Sequence, residues 1–182
     1  MEIVDTGIEG LLLIKPKFFG DERGYFMESY QVKRYQEFGI NTNFVQDNIS
    51  RSQKGVLRGL HFQIQHAQDK LVMVSRGQVF DVAVDVRPNS PTFGRSYGVI
   101  LNDQNHWQLF IPKGFAHGFY VMENKTDFCY KCSDYYHPED ESGILWNDPD
   151  LKIDWPLDQE IAPIVSAKDQ LLPRLREHIT KK

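Results

Sequence analysis

Val79-Phe80-Asp81-Val82-Ala83-Val84-Asp85-Val86-Arg87 decides the fold class of this chain. Apolar and polar residues alternate with the period of two that a strand imposes. Phe80, Val82, Val84 and Val86 share one face, and Asp81, Asp85 and Arg87 share the other. Upstream, residues 70–75 read as a partner strand, joined through a tight turn at Arg76-Gly77-Gln78. Downstream, Arg87-Pro88-Asn89-Ser90-Pro91 stops the strand, and 97–101, 108–111, 116–121 and 128–134 read as further strands. Short strands at regular spacing, punctuated by Gly and Pro from about residue 44 to 136, predict an all-β sandwich or barrel. Helix is confined to the flanks. One is expected over 29–38, closed by Gly39, and one over 168–179, opened by Ser166 and interrupted by Pro173. The Pro- and Asp-rich stretch 148–163 reads as ordered loop. These pieces fit one jelly-roll-like domain spanning residues 1–182 with short helices at its ends. Such barrels hold small ligands in their mouths.

Bulk properties narrow the function. The 182 residues, with 41% hydrophobic and 25% charged content, suit an ordinary globular domain that needs no disulfide staples. A net charge of -4 argues against a general nucleic-acid or membrane-surface binder, so any anion site is a local cluster of cations. The first residues lack the basic start and cleavage site of a signal peptide, and no apolar run is long enough to span a bilayer. Cys129 and Cys132 have C-x2-C spacing, but no second pair completes a zinc site, and an offset of three puts them on opposite faces of a strand. They are read as two reduced packing cysteines, which predicts a cytoplasmic protein.

Chemistry-bearing residues fall in three clusters. Val56-Leu57-Arg58-Gly59-Leu60-His61-Phe62-Gln63 sets a histidine three residues from an arginine inside a strand. A histidine moves protons near neutral pH, and an arginine is a fixed fork for phosphate or carboxylate. Regular alternation would put Arg58 and His61 on opposite faces, whereas a bulge at Gly59 would turn both into one cavity. Tyr130 and Tyr136 share a parity, with Cys132 and Asp134 between them, and a tyrosine in a cavity can serve as a general acid. Pro112-Lys113-Gly114-Phe115-Ala116-His117-Gly118-Phe119 is similar to the second cupin motif. Its partner segment, His61-Phe62-Gln63, lacks the second histidine and the glutamate of a metal-binding cupin, so no metal and no cofactor are expected there. Arg23, Lys70 and Lys168 are candidate partners for phosphate or an enolate oxygen. Asp169, three residues after Ser166, suits a helix cap and also a partner for a histidine.

These blocks resemble the dTDP-4-dehydrorhamnose 3,5-epimerase family over nearly the whole chain. They include Asp21-Glu22-Arg23-Gly24-Tyr25-Phe26, Gln46-Asp47-Asn48, the segment from Gly55 to Gln63, Lys70-Leu71-Val72, Tyr130-Lys131, Asp134-Tyr135-Tyr136 and Ser166-Ala167-Lys168-Asp169. The resemblance implies a metal-free cupin jelly roll, a homodimer that exchanges strands, and a dTDP-4-keto-6-deoxyhexose substrate. It implies His61 as proton acceptor, oriented by Asp169, Tyr130 as proton donor and Lys70 as a substrate contact, and the need of a developing oxyanion for a positive group gives that place to Lys70. It also implies Arg23, Glu28, Gln46, Asp47, Asn48, Arg58, His117, Tyr136, Glu141 and Lys168 as substrate contacts. Phe18, Phe26 and Tyr136 are expected to wall off water and stack on the base. Competing expectations are a single-carbon epimerase or keto-isomerase, a metal-dependent cupin oxygenase, and a non-catalytic sugar-nucleotide binder.

Overall fold

In the computed structural model, which describes residues 1–179, fourteen strands, three short α-helices and one 3-10 turn (Pro138–Asp140) follow one another. In chain order they are β1 (Glu2–Asp5), β2 (Leu12–Lys15), β3 (Phe18–Asp21), β4 (Gly24–Met27), α1 (Val32–Gln36), β5 (Gln46–Ser52), β6 (Val56–Gln63) and β7 (Lys70–Arg76). Then come β8 (Gln78–Asp85), β9 (Ser96–Asn102), β10 (Gln108–Ile111), β11 (Phe115–Val121), β12 (Thr126–Cys132), β13 (Glu141–Gly143), β14 (Ile164–Val165), α2 (Ala167–Gln170) and α3 (Leu175–Ile179). One sheet has the order β1-β2-β10-β7-β12-β5 and the other β13-β6-β11-β8-β9. β14 adds to β6 in parallel, and β3 and β4 form a separate hairpin. The expected all-β jelly-roll barrel is the fold.

Strand alternation sorts the side chains into three layers. Between the sheets lie Leu13, Val72, Val74, Val79, Ala83, Leu109, Phe119 and Phe128. The outer face of the β6–β11–β8 sheet carries Leu57, Leu60, Val82, Val84, Ala116 and Tyr120, roofed by Ile144, Leu151, Trp155 and Leu175. On the outer face of the other sheet, Ile14, Leu71 and Phe110 pack under Tyr35 of α1 and Ile40. Thus the apolar face of the 79–87 stretch points outward beneath the C-terminal segment, and Asp81 and Asp85 point into the barrel, fully buried. A strand buried on both faces is tolerated because each inward carboxylate finds partners.

Most expected strands are present; the differences have local causes. The first 27 residues supply four short strands not assigned from the sequence, too brief for a periodic signal. The helix expected over 29–38 shrinks to Val32–Gln36. Gln31 caps it, and the Ser29 carbonyl instead accepts from Tyr35 Oη (3.2 Å) and Gln108 Nε2 (2.7 Å). The C-terminal helix is split at Pro173, and Ser166 Oγ caps α2 as expected. β12 ends at Cys132 rather than 134. Cys132 faces the interior, Cys129 faces out, and both thiols are free. No described helix is long and apolar enough to cross a membrane.

Asp85 illustrates how the polar interior is stabilised. Its carboxylate accepts from Arg87 Nε and Nη2 (2.9 and 2.7 Å), Ser90 Oγ (2.5 Å) and Thr92 Oγ1 (2.6 Å). Burial opposes its charge, but these bonds outweigh burial and hold the carboxyl well below the usual range. A group lowered on folding contributes stability that is present above its unfolded pKa of about 3.9 and lost as pH falls below it. Asp85→Asn should therefore cost about 3 kcal/mol at pH 7 in urea unfolding. The gap to the native chain should narrow at pH 3; an equal gap at both pH values would contradict this account.

Candidate active site

The site begins with a slip in register. β6 and β11 pair His61 with His117 and Arg58 with Phe119, so three steps along β6 span two along β11. The surplus residue sits at Gly59-Leu60, and Gly59 has φ +112°. A Cβ at Gly59 would lie 2.6 Å from the His117 carbonyl oxygen and from Gly118 Cα. A Cβ at Gly118 would lie 2.5 Å from the Arg58 carbonyl oxygen. Only a pair of glycines lets the strands approach this closely. The slip resets parity, so Leu57 and Leu60 stay on the outer face while Arg58 and His61 both enter the barrel. The bulge expected at Gly59 is present.

The barrel mouth is a cleft with two adjoining lobes of about 570 and 300 Å3. Both lobes are lined by His61, Lys70, Tyr130, Tyr136 and Glu141. His61 comes from β6 of one sheet and Tyr130 from β12 of the other, so the two face the cavity from opposite walls. His61 Nε2 lies 2.8 Å from Asp169 Oδ1. The other Asp169 oxygen accepts the Gly59 N–H (3.1 Å), and the Asp169 N–H donates to Ser166 Oγ (3.1 Å). The capping and histidine-partner roles of Asp169 are thus held together. Burial opposes its charge, but the His61 and Gly59 bonds prevail and keep the carboxyl below its usual range. An acceptor at Nε2 fixes the tautomer that leaves a lone pair on His61 Nδ1, which lies 3.7 Å from Glu141 Oε1.

Burial shapes the Tyr130 phenol and the Lys70 ammonium. Tyr130 sits in register between Asn48 and Val72, and burial pushes its phenol above the usual value, so it stays protonated. Lys70 lies opposite Cys132 in the ladder, and its Nζ has no hydrogen-bond partner among the described residues. Burial holds its ammonium below the usual lysine range, against the pull of Cys132, Asp81 and Glu141. Arg58 makes only long contacts to Ser52 Oγ (3.3 and 3.4 Å), leaving its fork available. Glu141 accepts from Tyr136 Oη (2.7 Å) and from Lys168, and these bonds keep it charged despite burial. Gln46 and Asn48 line the smaller lobe, with Gln46 Oε1 accepting the Tyr136 N–H (3.1 Å).

Not every expected residue reaches the cleft. Asp47 lies between two inward-facing neighbours, so strand alternation turns it out to pair with Lys131 (2.9 Å). Glu28 pairs with Arg34 away from the mouth. Arg23 stands at the tip of the β3–β4 hairpin, held by Asp21 and 85% exposed. Phe18 and Phe26 lie on the same hairpin, exposed, and do not wall the cleft. Tyr136 reaches the cleft from a loop, not from an extension of β12. Sequence reasoning missed the partner of His117: Asp81 Oδ2 lies 2.9 Å from its Nε2, while Asp81 Oδ1 is buried without a partner. Its signal was the polar face of the 79–87 stretch.

The dTDP-4-dehydrorhamnose 3,5-epimerase family model matches residues 5–177. An Escherichia coli (strain K12) relative of that name is 52% identical over all of this chain and 98% of its own. The Legionella pneumophila Philadelphia 1 dTDP-6-deoxy-D-glucose-3,5-epimerase, solved with dTDP-4-keto-L-rhamnose, has TM-score 0.93 and 58% identity over 96% of this chain and 93% of that chain. A Streptomyces bikiniensis 3'-monoepimerase solved with dTDP-quinovose is similar at TM-score 0.88 but 33% identical, over 95% of this chain and 88% of that one. A cleft with a histidine and a tyrosine on facing walls thus sits in a chain whose sequence and fold match one family from end to end: the protein belongs to the dTDP-4-dehydrorhamnose 3,5-epimerase family.

Proposed function

We propose that this cleft converts dTDP-4-dehydro-6-deoxy-D-glucose to dTDP-4-dehydro-L-rhamnose by moving protons at C3 and C5, a step of dTDP-L-rhamnose biosynthesis. The observation that carries the reading is the placement of His61 and Tyr130 on opposite walls of one cavity. The C4 carbonyl acidifies the C–H bonds on both neighbouring carbons. His61 Nδ1 takes a proton from one face of the ring, leaving an enolate, and Tyr130 returns one from the other face, which inverts the centre. Asp169 holds the imidazole and stabilises the imidazolium, as a triad aspartate does. The Lys70 side chain faces the oxygen on which negative charge develops, an interaction worth a few kcal/mol in such a site. Arg58 offers its fork to the diphosphate. His117, Gln46, Asn48, Tyr136, Glu141 and Lys168 shape the rest of the pocket.

Residues 1–182 act as one jelly-roll domain in this reading, and two copies form a homodimer. The support is the β3–β4 hairpin, whose Phe19 and Phe26 are 57% and 72% exposed and whose tip carries Arg23. A hairpin laid across the partner's mouth would bring Arg23 to the diphosphate there. Two free thiols suit a cytoplasmic enzyme.

Three outcomes test the roles. His61→Ala should lower kcat by about 10²- to 10⁴-fold while its circular dichroism and dTDP affinity match the native chain; near-native turnover would remove His61 from the chemistry. Tyr130→Phe should still exchange substrate protons with deuterated buffer yet fail to invert the carbons, and loss of exchange together with inversion would deny it the acid's role. Because burial lowers the Lys70 pKa, kcat/KM should fall on the alkaline side below the ordinary lysine value of about 10.4. Lys70→Arg should move that fall to higher pH; an unmoved limb would show that another group titrates.

A further inference from the structure

Two loops at the edge of the cleft carry a cluster that the epimerisation chemistry leaves unused. Residues 64–69 lead from β6 into Lys70, and residues 133–140 lead from β12 past Tyr136 to Glu141. Where the loops meet, the His66 and His137 rings lie face to face, with centroids 3.8 Å apart and planes 15° from parallel. His66 Nδ1 is 3.7 Å from Asp134 Oδ2. One donor atom from each of His66, Asp134 and His137 lies within 4.8 Å of the other two.

The cluster is held by side chains that are not themselves donors to it. Gln63 Nε2 donates to the His66 carbonyl (2.7 Å), and Gln63 Oε1 accepts the His137 N–H (2.8 Å). Gln68 Nε2 donates to the Asp134 carbonyl (2.8 Å), and Asp140 accepts the His66 N–H (2.7 Å). Each residue of the trio therefore has its main chain fixed from outside, which lowers the ordering cost of binding. Glu139 Oε1 accepts from His137 Nδ1 (3.2 Å), the carboxylate–histidine pairing that orients a ring and leaves its Nε2 lone pair for a metal.

We propose that His66, Asp134 and His137 form a binding site for Zn2+ that clamps these two loops. Two imidazole nitrogens and one carboxylate oxygen are a ligand set this ion takes, at about 2.0–2.2 Å each, with water in a fourth position. Tetrahedral bonds of that length put donors about 3.3 Å apart with each ring's nitrogen lone pair aimed at the ion, so binding turns the two stacked rings out of parallel and draws in the 3.7 Å between His66 and Asp134. The site lies apart from the cupin-type position at His61 and His117, and its role is to hold the loops bearing Lys70 and Tyr136, not to take part in proton transfer.

Chelator-treated full-length protein titrated with ZnCl2 in a calorimeter should bind one ion per chain. Zn2+ should also raise Tm, by linkage to the folded state. Glu139→Gln should weaken binding about tenfold, and His137→Ala and Asp134→Asn should weaken it more and abolish the Tm rise. All three variants should keep native circular dichroism and metal-free epimerisation. Absence of a saturable heat, or equal Zn2+ affinity in native protein and His137→Ala, would overturn the proposal.

Discussion

The close approach of β6 and β11 at Gly59 and Gly118 is the constraint on which the site depends. Without the extra residue in β6, alternation would send Arg58 and His61 to opposite faces of the sheet. With it, the imidazole and the guanidinium enter one cavity, and the Gly59 N–H is freed to bind Asp169. One backbone irregularity therefore places His61, brings the Arg58 guanidinium into the same cavity and anchors the Asp169 carboxylate that bonds to the imidazole. The absence of a Cβ at both glycines is what allows it, since either methyl would meet backbone at 2.5–2.6 Å.

A second organising feature is the division of charge inside the barrel. The chain is acidic overall, yet Arg58, Lys70, His61 and His117 converge on the mouth. The carboxylates there have set hydrogen-bond partners: Asp169 bonds to His61, Asp81 to His117, and Glu141 to Lys168 and Tyr136. Among the described residues Lys70 and Arg58 have no carboxylate in salt-bridge contact, which is why the proposed reading gives them the substrate's oxyanion and diphosphate. Burial moves Lys70 and Tyr130 in opposite directions through one cause, since it penalises the charged form of each.

Much of this was legible in the sequence because strands write their period plainly. Residues 79–87 announced the sheet, and the segments of His61, Tyr130 and Asp169 singled out in the sequence do converge on one cleft. What alternation could not convey was which side of β8 is the interior. Its apolar face is covered by Ile144, Leu151 and Trp155, sixty or more residues downstream, so the polar face became the lumen and Asp81 went unassigned. The short strands of the first 27 residues gave too few repeats to register. Glu28, expected from resemblance, and Arg23, expected also as a phosphate partner, lie outside this chain's own cleft, since the hairpin that carries Arg23 projects outward.

The central claim is that protons leave and return at both carbons flanking the carbonyl. The direct measurement is NMR of the product formed by the native enzyme from dTDP-4-dehydro-6-deoxy-D-glucose in D2O. The account predicts inversion with solvent deuterium at C3 and at C5. Product that retains protium at both carbons, or inverts at only one, would contradict it.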